Sequence, residues 1–211
     1  MDNLAVDQIP YIVLDFETVT QAGSPPEPIE LGAMRINPPG QIDPDFEVGW
    51  FIRLPGHMPT AIMDHRAEFH GINFQSQPSA QEVFRRFDSV CGSAPFVAVA
   101  HNANYDASFI LRYAESCPHL ASMPFIDTVK LSRHLLPGLS SYRLDSVAEY
   151  FKLAIPFDRH RALPDVRLTC EIFIRLIRLW QAEHQDQRFF LLKKVAGIRT
   201  TPNPVQPSLF G

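Results

Sequence analysis

The chain has 211 residues, 45% of them hydrophobic and 20% charged, which is long enough to bury a core without disulfide help. Its 19 basic against 23 acidic residues give a formal net charge of -4, which argues against a protein that coats nucleic acid by bulk charge but not against one that gathers carboxylates around cations. The most apolar helical stretch, Glu171 to Trp180, is broken by Arg175 and Arg178, so nothing approaches the ~20 apolar residues of a bilayer span. An N-terminus without a basic region and apolar run predicts no signal peptide, no membrane partner and a cytoplasmic address.

In chain order, Tyr11 to Phe16 is a short run of strand formers, and Ile29 to Asn37 and Phe46 to Leu54 predict two more strands around Pro39-Gly40, an antiparallel meander. Between the first two, Gln21 to Pro28 holds three prolines and a glycine and reads as a loop. Val83, Phe84, Phe87 and Val90 recur at helical spacing within 78–91. A strand over Phe96 to Ala100 follows, then the polar loop HNANYD and a helical pattern in Ala107, Ile110, Leu111 and Ala114. Asp127 is placed to cap a helix running toward Leu136, Asp145 to precede one over Val147 to Phe151, and Pro164 to open the last long helix, 164–184. Strands first and then alternating helices and strands predict an α/β domain with a mixed sheet. Cys91, Cys117 and Cys170 share no CxxC spacing and read as reduced, buried thiols.

Asp15 and Glu17 lie two apart at the end of the first strand, so both side chains point to one face, roughly 7 Å apart along the backbone. Asp106 stands in a first helical turn, with Asn102 before it as a possible cap, and Asp165 opens the last helix five residues after His160. Each has an ordinary structural reading: a solvated strand end, an acid favoured by the helix dipole, a surface histidine. Together they match the needs of a two-metal phosphodiesterase. Hard cations such as Mg²⁺ or Mn²⁺ take oxygen ligands, and two of them ~4 Å apart hold the attacking and leaving oxygens of an in-line displacement. A histidine with an ordinary pKa near ~6.5 suits the base that takes the proton from water.

LDFET at 14–18, AHNANYD at 100–106 and HRALPD at 160–165 resemble, in order and spacing, the three motifs of the DEDDh group of the DnaQ-like 3′ to 5′ exonuclease superfamily. IELGAMRI at 29–36, FHGI at 69–72 and FIDTVKLSRHLLPG at 125–138 agree with it, and the likeness covers about 10–182. The resemblance implies a ribonuclease H-like fold, a mixed five-stranded sheet flanked by helices, over a nuclease domain at 1–184. It implies that Asp15, Glu17, Asp106 and Asp165 hold two divalent cations (Mg²⁺ or Mn²⁺), with His160 as general base. Thr18, His70 and Asn102 are expected to help hold the terminal nucleotide. A related branch has a tyrosine where this chain has Arg161, so the histidine branch is the match. Thr18-Val19-Thr20 departs from the usual Thr-Thr-Gly and puts the path of that loop, though no metal ligand, in question.

Residues 185–211 read as a flexible tail, in which Gln206-Pro207-Ser208-Leu209-Phe210 resembles the pentapeptide that binds the bacterial sliding clamp, with Gln206, Leu209 and Phe210 as anchors. The leading expectation is therefore a DNA exonuclease of proofreading or repair type acting on single-stranded or frayed 3′ ends. Its partners would be the clamp and, for a proofreading role, a replicative polymerase subunit. Two alternatives are an exoribonuclease trimming small RNAs and, from another class, a non-catalytic module tethered to the clamp.

Overall fold

The computed structural model describes residues 1–63, 66, 69–157 and 160–198. The strands are β1 (Tyr11–Val19), β2 (Glu27–Asn37), β3 (Gln41–Phe51), β4 (Val97–Ala100), β5 (Phe125–Asp127) and β6 (Gly197–Ile198). They form one sheet in the order β3-β2-β1-β4-β5-β6. The meander β1–β2–β3 is antiparallel, β4 and β5 join β1 in parallel, and β6 closes the far edge antiparallel to β5. The helices are α1 (Ala80–Cys91), α2 (Ala103–Arg112), α3 (Pro118–Ser122), α4 (Thr128–Leu135), α5 (Leu144–Tyr150), α6 (Ala162–Glu183) and α7 (Phe189–Ala196). Among the described residues no helix is long and apolar enough to cross a membrane.

Strand alternation decides which helices lie on which face. Ile12, Leu14 and Phe16 of β1 with Leu31 and Ala33 of β2 pack against α1, α2 and α3, led by Phe84, Phe87 and Phe109. Their neighbours Tyr11, Val13, Met34 and Ile36 face the other way, against α4, α5, α6 and α7. Parallel strands need helical crossovers, and α1 and α2–α3 supply them, each buried on one stripe only. The cysteines Cys91, Cys117 and Cys170 are free and buried, as expected.

Several sequence expectations need correction. The mixed sheet flanked by helices is present, but it has six strands rather than five. The sixth belongs to the stretch read as tail: within 185–198, α7 buries Phe189, Leu192 and Ala196, and β6 pairs with Phe125 and Ile126. An eight-residue helix has little stability of its own; here the Phe189 N–H reaches the Leu4 carbonyl at 2.9 Å and Ala5 bridges Arg188, so the N-terminal segment holds it down. The loop expected over Gln21 to Pro28 ends sooner, because β2 begins at Glu27, with Pro28 opposite Thr18 where the register shifts. Asp145 does not precede α5 but lies in its first turn, with Arg143 at the cap position. Asp127 caps α4 as expected, accepting from the Val129 N–H at 2.8 Å.

Candidate active site

The stripe of β1 that begins with Tyr11 and Val13 in the apolar core continues as Asp15 and Glu17. Directly across on β2 stand Gly32 opposite Asp15 and Glu30 opposite Glu17. The first turn of α6 lies over this patch because position 32 has no side chain: a Cβ there would come within 2.6 Å of the Ala162 carbonyl carbon. That approach carries Asp165, one turn into α6 and 8% exposed, to the carboxylates of β1. Ligand oxygens of Asp15, Glu17 and Asp165 lie within 4.8 Å of one another.

Asp106 enters from the other side of β1, in the first turn of α2 at the C-terminal end of β4. It is buried, and its Oδ1 accepts the Phe16 N–H at 3.1 Å, which locks it to the strand between the two β1 carboxylates. Burial pushes its carboxyl up to about 8, helped by the nearby charges of Asp127 and Glu17 and opposed by its backbone hydrogen bonds. Carboxylates at such spacing repel one another by about 4 kcal/mol per pair in a partly screened site. An all-carboxylate donor set of this kind, with one member pushed toward its neutral form, fits hard divalent cations, which supply the missing positive charge and favour the ionised acid.

The remaining expected residues stand on the neighbouring strand end, loops and helix start. His160 stands on the exposed loop before α6, in left-handed backbone with φ 70°. Thr18 shares a 2.7 Å hydrogen bond with the Tyr105 hydroxyl, tying the strand end to α2. Thr18 and Val19 continue β1 instead of turning away, and Val19 is buried against Ile29, Phe69 and Phe74. Asn102 does occupy the position before α2, but at φ 72° its side chain makes no cap bond; its N–H is held by Asp127 Oδ1 at 3.2 Å. His70 is exposed on the wall of a cleft of about 500 Å³, lined also by Leu54, Thr60, Met63 and Phe69. Gln206, Leu209 and Phe210 lie outside the described residues.

Three residues at the site carry structure that motif reading passed over. Arg66 donates to the Thr18 carbonyl at 3.1 Å and to Glu17 Oε2 at 3.4 Å, and so is held against the end of β1. Glu30 is 2% exposed and meets Arg161 through two guanidinium nitrogens. A signal for Glu30 exists in the sequence, since a glutamate amid the apolar run of β2 falls on a face that alternation assigns to the interior. Arg66 and Arg161 give no such signal, because their partners are remote in the chain.

The chain matches the exonuclease family over residues 12–173, a range that contains all three motifs. It is 32% identical over 179 residues to the PolC-type DNA polymerase III of Caldanaerobacter subterraneus subsp. tengcongensis, covering 81% of this chain and 12% of that polymerase. It is 30% identical over 172 residues to the DNA polymerase III subunit epsilon of Aquifex aeolicus, covering 81% of this chain and 82% of the subunit. Its fold superposes on the nuclease domain of 3′hExo, a DEDDh family member bound to rAMP, with a TM-score of 0.66 at 13% identity, covering 83% of this chain and 94% of that one.

Proposed function

Because the chain belongs to the exonuclease family, we propose that it is a metal-dependent 3′ to 5′ exonuclease that removes nucleotides from DNA 3′ ends in proofreading or repair, in the cytoplasm. The observation that carries this reading is the convergence of Asp15, Glu17 and Asp165 within 4.8 Å, with Asp106 bonded to the strand between them. In that reading Asp15, Glu17, Asp106 and Asp165 hold two divalent cations, Mg²⁺ or Mn²⁺. When bound, such cations act as Lewis acids on the attacking and leaving oxygens of a phosphodiester.

The protein's own groups do the rest. His160 takes a proton from the water that attacks phosphorus, on an imidazole nitrogen; the P–O3′ bond breaks, the departing O3′ takes a proton from solvent water to leave a new 3′-hydroxyl on the strand, a 5′-mononucleotide departs, and the imidazolium returns its proton to solvent. The exposure of His160 on the loop before α6 is consistent with that role, since its imidazole is open to solvent. Thr18, His70 and Asn102 hold the terminal nucleotide, with the cleft beside His70 supplying apolar surface for a base or sugar. The chain spans 11% to 13% of the length of the PolC-type polymerases it resembles, so a link to a polymerase subunit rests on likeness to a part of those proteins.

The test is a gel assay of the purified protein with Mg²⁺ or Mn²⁺ on matched 5′-labelled single-stranded DNA and RNA. A metal-dependent ladder shortening from the 3′ end of DNA is the expected result, lost in Asp15→Ala and reduced by ~10²-fold or more in His160→Ala. Preference for RNA would move the protein to RNA trimming, and wild-type turnover in His160→Ala near neutral pH would remove that residue from the mechanism. No degradation of either strand would favour the non-catalytic module. The clamp reading rests on the pattern of residues 206–210 alone; deleting them is expected to leave hydrolysis of short oligonucleotides intact and to abolish binding to a bacterial sliding clamp. Unchanged clamp affinity would end that assignment.

A further inference from the structure

Glu30 poses a physical question, since a carboxylate 2% exposed is retained only if it is paired and hydrogen-bonded. It is fully engaged by one short stretch of the chain. Arg161 Nε donates to Glu30 Oε1 at 3.1 Å and Oε2 at 3.0 Å, and Arg161 Nη2 donates to Oε1 at 2.8 Å. The next backbone N–H, that of Ala162, donates to Oε2 at 3.2 Å. Arg161 stands at the cap position of α6 and Ala162 is its first residue, so one side chain on β2 grips the junction between the proposed base and the helix that carries Asp165.

The grip is reinforced from the opposite side. The Arg161 guanidinium lies over the rings of Phe51, at 5.1 Å, and Phe69, at 5.5 Å. Arg66, which is bonded to Glu17 and to the Thr18 carbonyl, lies over Phe69 at 4.9 Å. A continuous series of contacts therefore runs from Glu17 through Arg66, Phe69 and Arg161 to Glu30, and Glu30 stands opposite Glu17 in the sheet. The hydrogen bonds of Glu30 run to Arg161 and Ala162 and not to Asp15, Glu17 or Asp165, so its influence on that cluster passes through those two residues.

We propose that Glu30 and Arg161 form a positioning pair which, through the backbone of Ala162, fixes where the His160 loop and Asp165 stand relative to Asp15 and Glu17. The pair thereby sets the geometry of the cation site and of the base. The functional consequence rests on the exonuclease reading, while the effect on the cation site does not. Partners that orient metal ligands commonly change metal affinity or activity by ~10- to 100-fold when they are removed.

The test is a double-mutant cycle in the full chain with Glu30→Gln, Arg161→Gln and both together, beside the conservative Arg161→Lys. Each is measured for kcat and KM on single-stranded DNA, for Mn²⁺ affinity by electron paramagnetic resonance, and for thermal stability. Arg161→Gln is expected to lower kcat by ~10- to 100-fold with KM changed by less than ~3-fold, and to weaken Mn²⁺ binding. Arg161→Lys is expected to recover part of both losses, since it keeps the charge but not the fork that spans both carboxylate oxygens. The double variant should lose little more than either single one, because each single change already breaks the pair. Folded variants with wild-type kcat and Mn²⁺ affinity would overturn the proposal, as would losses that simply add. If Arg161→Gln does not fold, Arg161→Lys decides on the same readouts: unchanged kcat and Mn²⁺ affinity would overturn it. If the wild-type protein degrades neither DNA nor RNA, the exonuclease reading fails and the Mn²⁺ cycle alone decides the positioning role.

Discussion

Asp106→Asn is expected to reduce nucleotide release by ~10³-fold or more and, at the same time, to make the metal-free protein more stable at pH 8 and above. In the proposed reading the loss of activity follows from removing one of the four carboxylates assigned to the cations. The gain follows from linkage. Burial first, and then the charges of Asp127 and Glu17, raise the Asp106 carboxyl from an ordinary 3.8 to about 8 in the folded protein. A folded-state value above the unfolded one means that the native state holds the proton more tightly. The associated stability is complete below about pH 4, fades as pH rises toward 8, and stays lost above that.

Asparagine has the same shape, keeps the Phe16 N–H bond through its Oδ1 and does not ionise, so it avoids that loss. The melting temperature of the variant minus that of the wild type should therefore grow between pH 5 and pH 8, reaching ~5 °C or more, in chelator-treated protein. Saturating Mg²⁺ should close the gap by stabilising the wild type preferentially. Cation binding at pH 7 should also release protons, seen as a dependence of the binding heat on the ionisation enthalpy of the buffer. A temperature difference that is the same at pH 5 and pH 9 would show that Asp106 ionises without penalty.

Gly32→Ala is expected to damage both stability and turnover. The added Cβ would lie 2.6 Å from the Ala162 carbonyl carbon, 2.7 Å from its oxygen and 2.8 Å from the Leu163 nitrogen. These are backbone atoms of the first turn of α6, and no side-chain rotation relieves the overlap. The turn must move off the sheet, taking with it the Ala162 N–H bond to Glu30 and the approach of Asp165 to Asp15 and Glu17. Overpacking of this kind destabilises by ~1–3 kcal/mol, and displacement of reacting groups by about 1 Å costs ~10²-fold in rate.

Gly49→Ala is the control, because a Cβ there would meet only the Leu163 side chain at 3.5 Å, ordinary contact distance. Urea melts and kcat measured on both variants separate the two cases. Equal behaviour of Gly32→Ala and Gly49→Ala would refute the claim that α6 is seated by the missing side chain at position 32.

How far these features could be read in the chain depends on how local their causes are. The strand that presents Asp15 and Glu17 on one face follows from a two-residue period, and the capping role of Asp127 from its place before a helical pattern. α6 declares itself by a stripe that ends in Ile177 and Trp180, both buried. By contrast, Asp145 looks like a cap by composition but sits inside α5, since Arg143 has the extended backbone that starts the helix. β6 is two residues long and has no period to detect; it is a strand only because Phe125 and Ile126 offer it a free edge.

By itself, then, the sequence determined the α/β order of elements, the four carboxylates and the histidine in three motifs, and their likeness to an exonuclease family. All of these are matters of type and spacing along the chain. Only the tertiary structure decided that Gly32 leaves room for α6, that Glu30 and Arg161, 131 positions apart, close over its first turn, and that Asp106 is buried enough to resist ionisation. These depend on which surfaces meet when the sheet and helices pack, and close approach, pairing and desolvation arise only at that meeting.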